Sequence, residues 1–269
     1  MKPGIYENLS NEDYHASAGV SKSGLDLVEK CPAAYKARYM DGVKQEPTKA
    51  MLDGAMIHMA TLEPKVFDGQ YIIKPEGIDR RTKKGKAAWE DFLTISAGKL
   101  IISQADHDLA KAVSKAVHAH PSARNILTKG KAEQSVFHED KSTGKLVKCR
   151  PDWWVEDVLA DLKTTTDASP GAFSKACYNF RYHVQAAMYK EIVTAQTGIK
   201  INSFVFIVVE KSEPYSVAVY YADKDMLDLG AEEYHGNLSL YSRCKDEGIW
   251  PGYGAGRILP ISLPRWAFK

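Results

Sequence analysis

Residues 203–210, SFVFIVVE, are apolar without alternation. A strand with one wet face alternates apolar and polar residues, whereas a run of this kind is buried on both faces. A chain holding such a strand must cover a sheet with helices on each side. The neighbouring segments supply the parts. Residues 215–222 (YSVAVYYA) read as a strand pairing with 203–210 across the turn at Glu213-Pro214. Residues 132–139 (AEQSVFHE) alternate as a strand, 140–144 carry turn chemistry, and 145–155 (KLVKCRPDWWV) form a second strand that Pro151 ends or distorts. A third, short strand covers 157–164 (DVLADLKT). Helical patterns fall at 50–62, 85–96, 104–118, 168–197 (in two pieces split near 178–182) and 223–247. Before them, an opening loop leads to a helix capped by Ser21 or Ser23, with Leu25, Leu27 and Val28 as its apolar face and Cys31-Pro32 as its end. The expected fold is α/β, with a central mixed β-sheet flanked by helices.

Composition narrows the function classes. Apolar residues are 44% and charged residues 26% of 269 positions, an ordinary globular mix that excludes a disordered or fibrous chain. The 36 Lys and Arg barely exceed the 34 Asp and Glu, so any contact with nucleic acid must use a local basic patch. No apolar run approaches the roughly 18–20 residues that span a bilayer, and MKPGIYENLSNEDYH lacks a signal-peptide core. A cytoplasmic protein without membrane contact is expected. Cys31, Cys149, Cys177 and Cys244 include no CxxC pair, which argues for reduced thiols and against structural zinc. With no repeat, linker or compositional break, residues 1–269 read as one domain: an N-terminal loop and helix over 1–50, and a core with a C-terminal helix and tail over 51–269.

Chemistry concentrates in Arg150-Pro151-Asp152 and Asp161-Leu162-Lys163. Positions two apart on a strand point the same way, so Asp161 and Lys163 share a face. A hairpin between them brings Asp152 beside Asp161 at the sheet end. Two carboxylates make an oxygen site for a hard cation such as Mg²⁺, and the lysine can orient a water beside it. Phosphodiester hydrolysis has these needs. The acid-x-base triplet alone is weak, because 34 acids and 36 bases in 269 positions give about four to five by chance. Glu139 and Lys141, in the turn, are one such pair. What distinguishes Asp161 and Lys163 is an apolar strand that follows Pro-Asp and precedes a helix.

This arrangement resembles the PD-(D/E)xK nuclease superfamily. Gly54-x-x-x-His58 is similar to the G-x-x-x-H helix of the RecB-like and lambda-exonuclease-like branches, and Gln185-x-x-x-Tyr189 to the helix after their catalytic strand. The segments PGIYENLSNEDYH, GVSKSGLD, RRTKKGK, CRPD, DLKTT, RYHVQAAMY, EYHGNL and SLPRW, in this order, resemble RecE-type exonucleases over nearly the whole chain. The resemblance implies a restriction-endonuclease-like core with a helical N-terminal part. It implies metal ligation by Asp152 and Asp161, with the Leu162 carbonyl, His58 and Glu133 as further ligands. Lys163 would be the catalytic lysine, and Gln185 and Tyr189 would line the site. Mg²⁺ would be the cofactor, with Mn²⁺ as a substitute. Iron–sulfur relatives join one early cysteine to a late triplet; here only Cys244 is late, so no cluster is expected. The implied activity is 5′-to-3′ digestion of one strand of linear double-stranded DNA, leaving 3′ tails for recombination. A ring-shaped homo-oligomer follows, tetrameric as in the RecE type or trimeric as in the lambda type, with a single-strand annealing protein as partner and a phage or prophage origin in a bacterial host.

Two basic features stand apart. Arg80-Arg81-Thr82-Lys83-Lys84 lies in a glycine-punctuated stretch, 76–86, read as a surface loop; Arg80, Arg81 and Lys84 there suit phosphate contacts over DNA. Ser21-Lys22-Ser23, near a helix start, suits another. No base-reading motif is present. The competing readings are a structure-specific endonuclease of the same fold, which would nick supercoiled circles, and a non-catalytic DNA-end-binding module. Against the second stands the joint presence of Asp152, Asp161, Lys163 and His58.

Overall fold

The computed structural model describes residues 1–268. The chain begins with β1 (Gly4–Tyr6), α1 (Asn11–Ala16), α2 (Lys22–Lys30), α3 (Pro32–Tyr39), α4 (Lys49–Leu62) and α5 (Pro64–Gln70). Then come β2 (Tyr71–Ile73), α6 (Lys83–Ile95), β3 (Leu100–Ile102), α7 (Gln104–Ala119) and α8 (Pro121–Leu127). The strand-rich middle holds β4 (Lys131–Ala132), β5 (Ser135–Glu139), β6 (Leu146–Cys149), β7 (Trp153–Val155) and β8 (Val158–Thr165). It leads to α9 (Pro170–Asn179), α10 (Tyr182–Thr197), β9 (Ser203–Glu210), β10 (Val217–Tyr221) and α11 (Lys224–Glu247). Side-chain caps account for several helix starts: Ser21, Thr48, Ser103 and Asp223 each accept the backbone N–H three residues on.

The main sheet runs β10-β9-β8-β7-β4, with β8 and β9 parallel and the other pairs antiparallel. It is mixed and helix-flanked, as the apolar run in β9 requires. Successive residues of β8 and β9 feed two cores. Leu159, Phe204, Phe206 and Val208 pack with Val184 and Met188 of α10 and Leu238 of α11. Ala160, Leu162, Val205 and Ile207 pack with Ile57 of α4 and Val113 of α7. Asp161 and Lys163 therefore lie on the α10 face of the sheet, while α4 covers the other. A second sheet, β1-β5-β6, joins the first core, and β2 pairs with β3 apart from both. Val20 extends the second sheet through backbone bonds to Leu146 and Lys148, which fixes where α2 starts.

Three expectations need correction. The alternating stretch 132–139 is not one strand. Lys131 and Ala132 join the main sheet, Ser135–Glu139 the second, and Glu133 between them has φ 52°. Likewise 145–155 breaks between Cys149 and Trp153, and its halves belong to different sheets. Alternation reports faces, not partners, so a change of sheet leaves no trace in it. The stretch 76–86 is not loop throughout: Thr82 accepts from the Gly85 N–H at 3.0 Å, α6 begins at Lys83, and Lys84 lies in its first turn. Among the described residues no helix is long and apolar enough to cross a membrane.

Candidate active site

Both sheet changes occur at the same place, and it is where the candidate residues meet. Glu133, in the left-handed region, donates its N–H to the Asp152 carbonyl at 3.2 Å, tying the two crossings together. From the second crossing, Asp152 Oδ2 accepts the Leu162 N–H at 2.7 Å, which locks it to β8. From α4, His58 Nε2 lies 2.8 Å from Asp152 Oδ2 and 3.0 Å from the Leu162 carbonyl, while Nδ1 is 3.8 Å from Glu133 Oε1. Ligand atoms of His58, Glu133 and Asp152 all lie within 4.8 Å of one another.

Asp161 is 2% exposed. Its Oδ2 is 2.6 Å from Lys163 Nζ, and its Oδ1 accepts from the Gln185 side-chain amide. Gln185 Oε1 in turn accepts from Lys163 Nζ at 3.0 Å, closing a three-residue ring across β8 and α10. Expected as a second metal ligand, Asp161 is not in the His58 group. Only Oδ1 accepts a hydrogen bond; Oδ2, buried, has the Lys163 charge beside it but no hydrogen-bond partner among the described residues. Tyr189, one turn beyond Gln185, packs edge-on to Phe204 at 6.2 Å.

Electrostatics sharpen this picture. Burial raises the Asp161 carboxyl above its usual range, and the Asp152 charge adds to it; Lys163 opposes both. Glu133 is raised chiefly by burial, with Asp152 repelling it. Burial alone would strip the proton from His58, but Asp152 and Glu133 outweigh it and hold the imidazole well above its ordinary value. Lys163 is likewise desolvated yet raised, because Asp161 and Asp152 favour its charge. Carboxylates under mutual repulsion beside an imidazole are a donor set that a divalent cation would relieve, so His58, Glu133 and Asp152 fit a bound metal. The Leu162 carbonyl borders the same space.

The remaining expected residues are placed differently. Ser21 Oγ caps α2 and shares a hydrogen bond with Ser23 Oγ at 3.1 Å. The Lys22 ammonium is engaged by Asp26 at 2.7 Å and by the Phe180 carbonyl at 2.7 Å, so it is not a free phosphate contact. Arg80 lies over the Trp89 ring at 4.9 Å, Arg81 pairs with Asp79 at 2.9 Å, and Lys84 is exposed. No hydrogen bond or ion pair links these three to the site among the described residues. Two residues without an expected role do reach it. Arg150, 8% exposed, bonds Ser135 Oγ at 2.8 Å and the Leu9 carbonyl at 2.9 Å, 4.0 Å from Glu133. Tyr182 puts its ring 4.2 Å from Lys163 Nζ. Its position three before Gln185 on α10 was the available signal.

A buried Asp-x-Lys on a sheet-centre strand, with a hairpin aspartate and a helical histidine meeting at the Leu162 backbone between them, is the arrangement of a PD-(D/E)xK-type core. Residues 21–259 match the family described as a PDDEXK-like domain of unknown function (DUF3799), and the chain belongs to that family. A crystal structure from Eubacterium rectale, described as a "putative exonuclease", shares the fold at TM-score 0.66 with 16% identity, covering 98% of each chain. A second solved structure, SSO0001, matches at TM-score 0.30 and 12% identity over 69% of this chain and 85% of that one. No curated protein matches.

Proposed function

We propose that this protein is a divalent-metal-dependent exodeoxyribonuclease acting on the ends of linear double-stranded DNA. The observation that carries it is the closed Asp161–Lys163–Gln185 ring set against the His58–Glu133–Asp152 donor group. A bound Mg²⁺ would neutralise phosphate charge and make water more acidic; the imidazole ligand makes Mn²⁺ a natural substitute. The chain's own residues do the rest. Lys163 presents an ammonium donor that orients the attacking water and meets charge developing on phosphate oxygen. Gln185 fixes the lysine and Asp161 in one geometry, and Asp152, held by the Leu162 N–H, keeps its second oxygen available.

The finer reading comes from likeness. The Eubacterium rectale structure is described as a "putative exonuclease", and the sequence resembles RecE-type enzymes. From that resemblance come 5′-to-3′ polarity, 3′ single-stranded tails for recombination, a ring-shaped tetramer or trimer, an annealing-protein partner, and phage or prophage coding in a bacterial cytoplasm. The test is digestion of linear duplex labelled at either the 5′ or the 3′ end, with Mg²⁺ or with chelator, beside supercoiled circles and an Asp161→Asn variant. Label released from 5′ ends only, with metal only, and intact circles, is expected. Nicked circles would move the reading to an endonuclease; no metal-dependent product at all would leave an end-binding module.

A further inference from the structure

Between α9 and α10 the chain holds two rings out to solvent, Tyr178 at 69% and Phe180 at 61% exposure. Neither serves the hydrolytic group described above. The turn that carries them is built rigidly. The Phe180 N–H donates to the Ala176 carbonyl at 2.9 Å, and its own carbonyl accepts from Lys22 Nζ. The next residue, Arg181, sits in the left-handed region at φ 56° and ψ 41°, uncommon for a side chain of this size. Its guanidinium is clamped between Asp26 at 3.0 Å and Glu233 at 2.8 Å, joining α2, α10 and α11. The clamp thus fixes the exposed Phe180 ring in place from three helices.

Behind Phe180 the rings continue inward. Tyr182 stacks on it with centroids 5.6 Å apart and planes 27° from parallel. The Tyr182 ring also has the Lys163 ammonium 4.2 Å from its centroid, with Phe173 and Phe206 each 6.1 Å away. The stack thus runs from solvent through two rings to the lysine that faces the scissile phosphate in the nuclease reading. We propose that Phe180 is a stacking platform for an unpaired nucleobase of the strand being cut, with Tyr182 as the layer that keeps the platform in register with Lys163. The inference rests on the nuclease reading and names its substrate class. A paired internal base has both faces covered by its neighbours, so a ring here engages only a frayed or single-stranded terminus. Stacking tolerates any base, which suits a chain without a base-reading motif.

The test separates stacking from chemistry. A short single strand carrying 2-aminopurine is titrated in chelator with the wild type, Phe180→Ala, Phe180→Leu and Phe180→Trp. The wild type and Phe180→Trp should quench the probe. Phe180→Ala and Phe180→Leu should not, and their Kd should rise about 5- to 150-fold, the range of base–aromatic stacking. Leucine keeps apolar bulk at an exposed site, so its failure reports the lost π-face rather than a fold defect. With Mg²⁺, KM for duplex with frayed ends should rise by the same factor in Phe180→Ala. An abasic residue at one of the terminal positions should raise the wild-type KM equally and remove the difference between wild type and variant. Unchanged quenching and KM in both Phe180→Ala and Phe180→Leu would overturn the platform. Wild-type quenching without any metal-dependent cleavage would keep the platform and overturn the nuclease reading instead.

Discussion

Lys163 serves two partners at once: it neutralises a carboxylate 2.6 Å away and holds Gln185. Lys163→Ala should lower the rate on the order of 10²–10⁴-fold, as for a removed orienting or proton-transfer group. Metal binding should survive, since the proposed donors are on His58, Glu133 and Asp152. Calorimetry showing Mg²⁺ affinity abolished along with activity would remove the lysine from the water-positioning role. The same substitution strands a buried charge on Asp161, so its stability should drop by about 3–5 kcal/mol, and Asp161→Asn/Lys163→Met should restore much of it. His58 gives a pH signature. Its imidazole is held protonated above the ordinary range near 6.5 by Asp152 and Glu133, and a metal ligand must be neutral. Metal binding at neutral pH should therefore release a proton, and affinity should climb as pH rises through the raised pKa of His58. Titration calorimetry in buffers of different ionisation enthalpy counts that proton; a count of zero would exclude His58 as a ligand.

At the scale of elements, site geometry depends on how closely α10 approaches α11. Gly230 on α11 has no room for a side chain: a Cβ there would lie 2.2 Å from the His183 carbonyl oxygen and 3.1 Å from Ala187 Cβ. Gly230→Ala must push the helices apart, costing about 1–3 kcal/mol as overpacking does. The melting temperature should fall by roughly 2–4 °C per kcal/mol in a chain of this size. Because α10 carries Gln185 and Tyr182, activity should fall more than stability predicts; an unaltered melting curve would refute the close packing. The longer helices were readable, since capping and 3.6-residue periodicity act within a few turns, whereas the short α1, α3, α5 and α8 were not expected. The strand boundaries at 133–134 and 150–152 were not, because each is a change of sheet.

For the whole molecule, net charge is only +2, so long-range attraction to DNA must come from local groups. Arg80, Arg81 and Lys84 are exposed around the start of α6, away from the hydrolytic group's hydrogen bonds. Neutralising all three should raise the DNA concentration for half-maximal rate. It should also flatten the salt dependence, by roughly 0.9 in log–log slope for each phosphate that the variant no longer neutralises. Stability should shift by less than about 0.5 kcal/mol. An unaltered salt slope would make this segment an ordinary solvated surface.

The sequence by itself determined the two-sided burial of 203–210, hence a helix-covered sheet, and put Asp161 and Lys163 on one face, a short hairpin beyond the Pro-Asp turn. Those properties follow from periodicities of 2 and 3.6 and from a hairpin, all encoded over a dozen residues or fewer. Only the tertiary structure decided that Glu133 and Asp152 stand at paired crossings between two sheets, and that Asp161 closes on Gln185 rather than on the His58 group. It alone placed the Phe180–Tyr182 stack against Lys163. A strand's alternation is equally satisfied by either sheet, and a carboxylate's partner is whichever donor the packing brings nearest. Such choices are settled between residues 20 to more than 100 positions apart, such as Asp161 with Gln185 and His58 with Leu162, where no local pattern reaches.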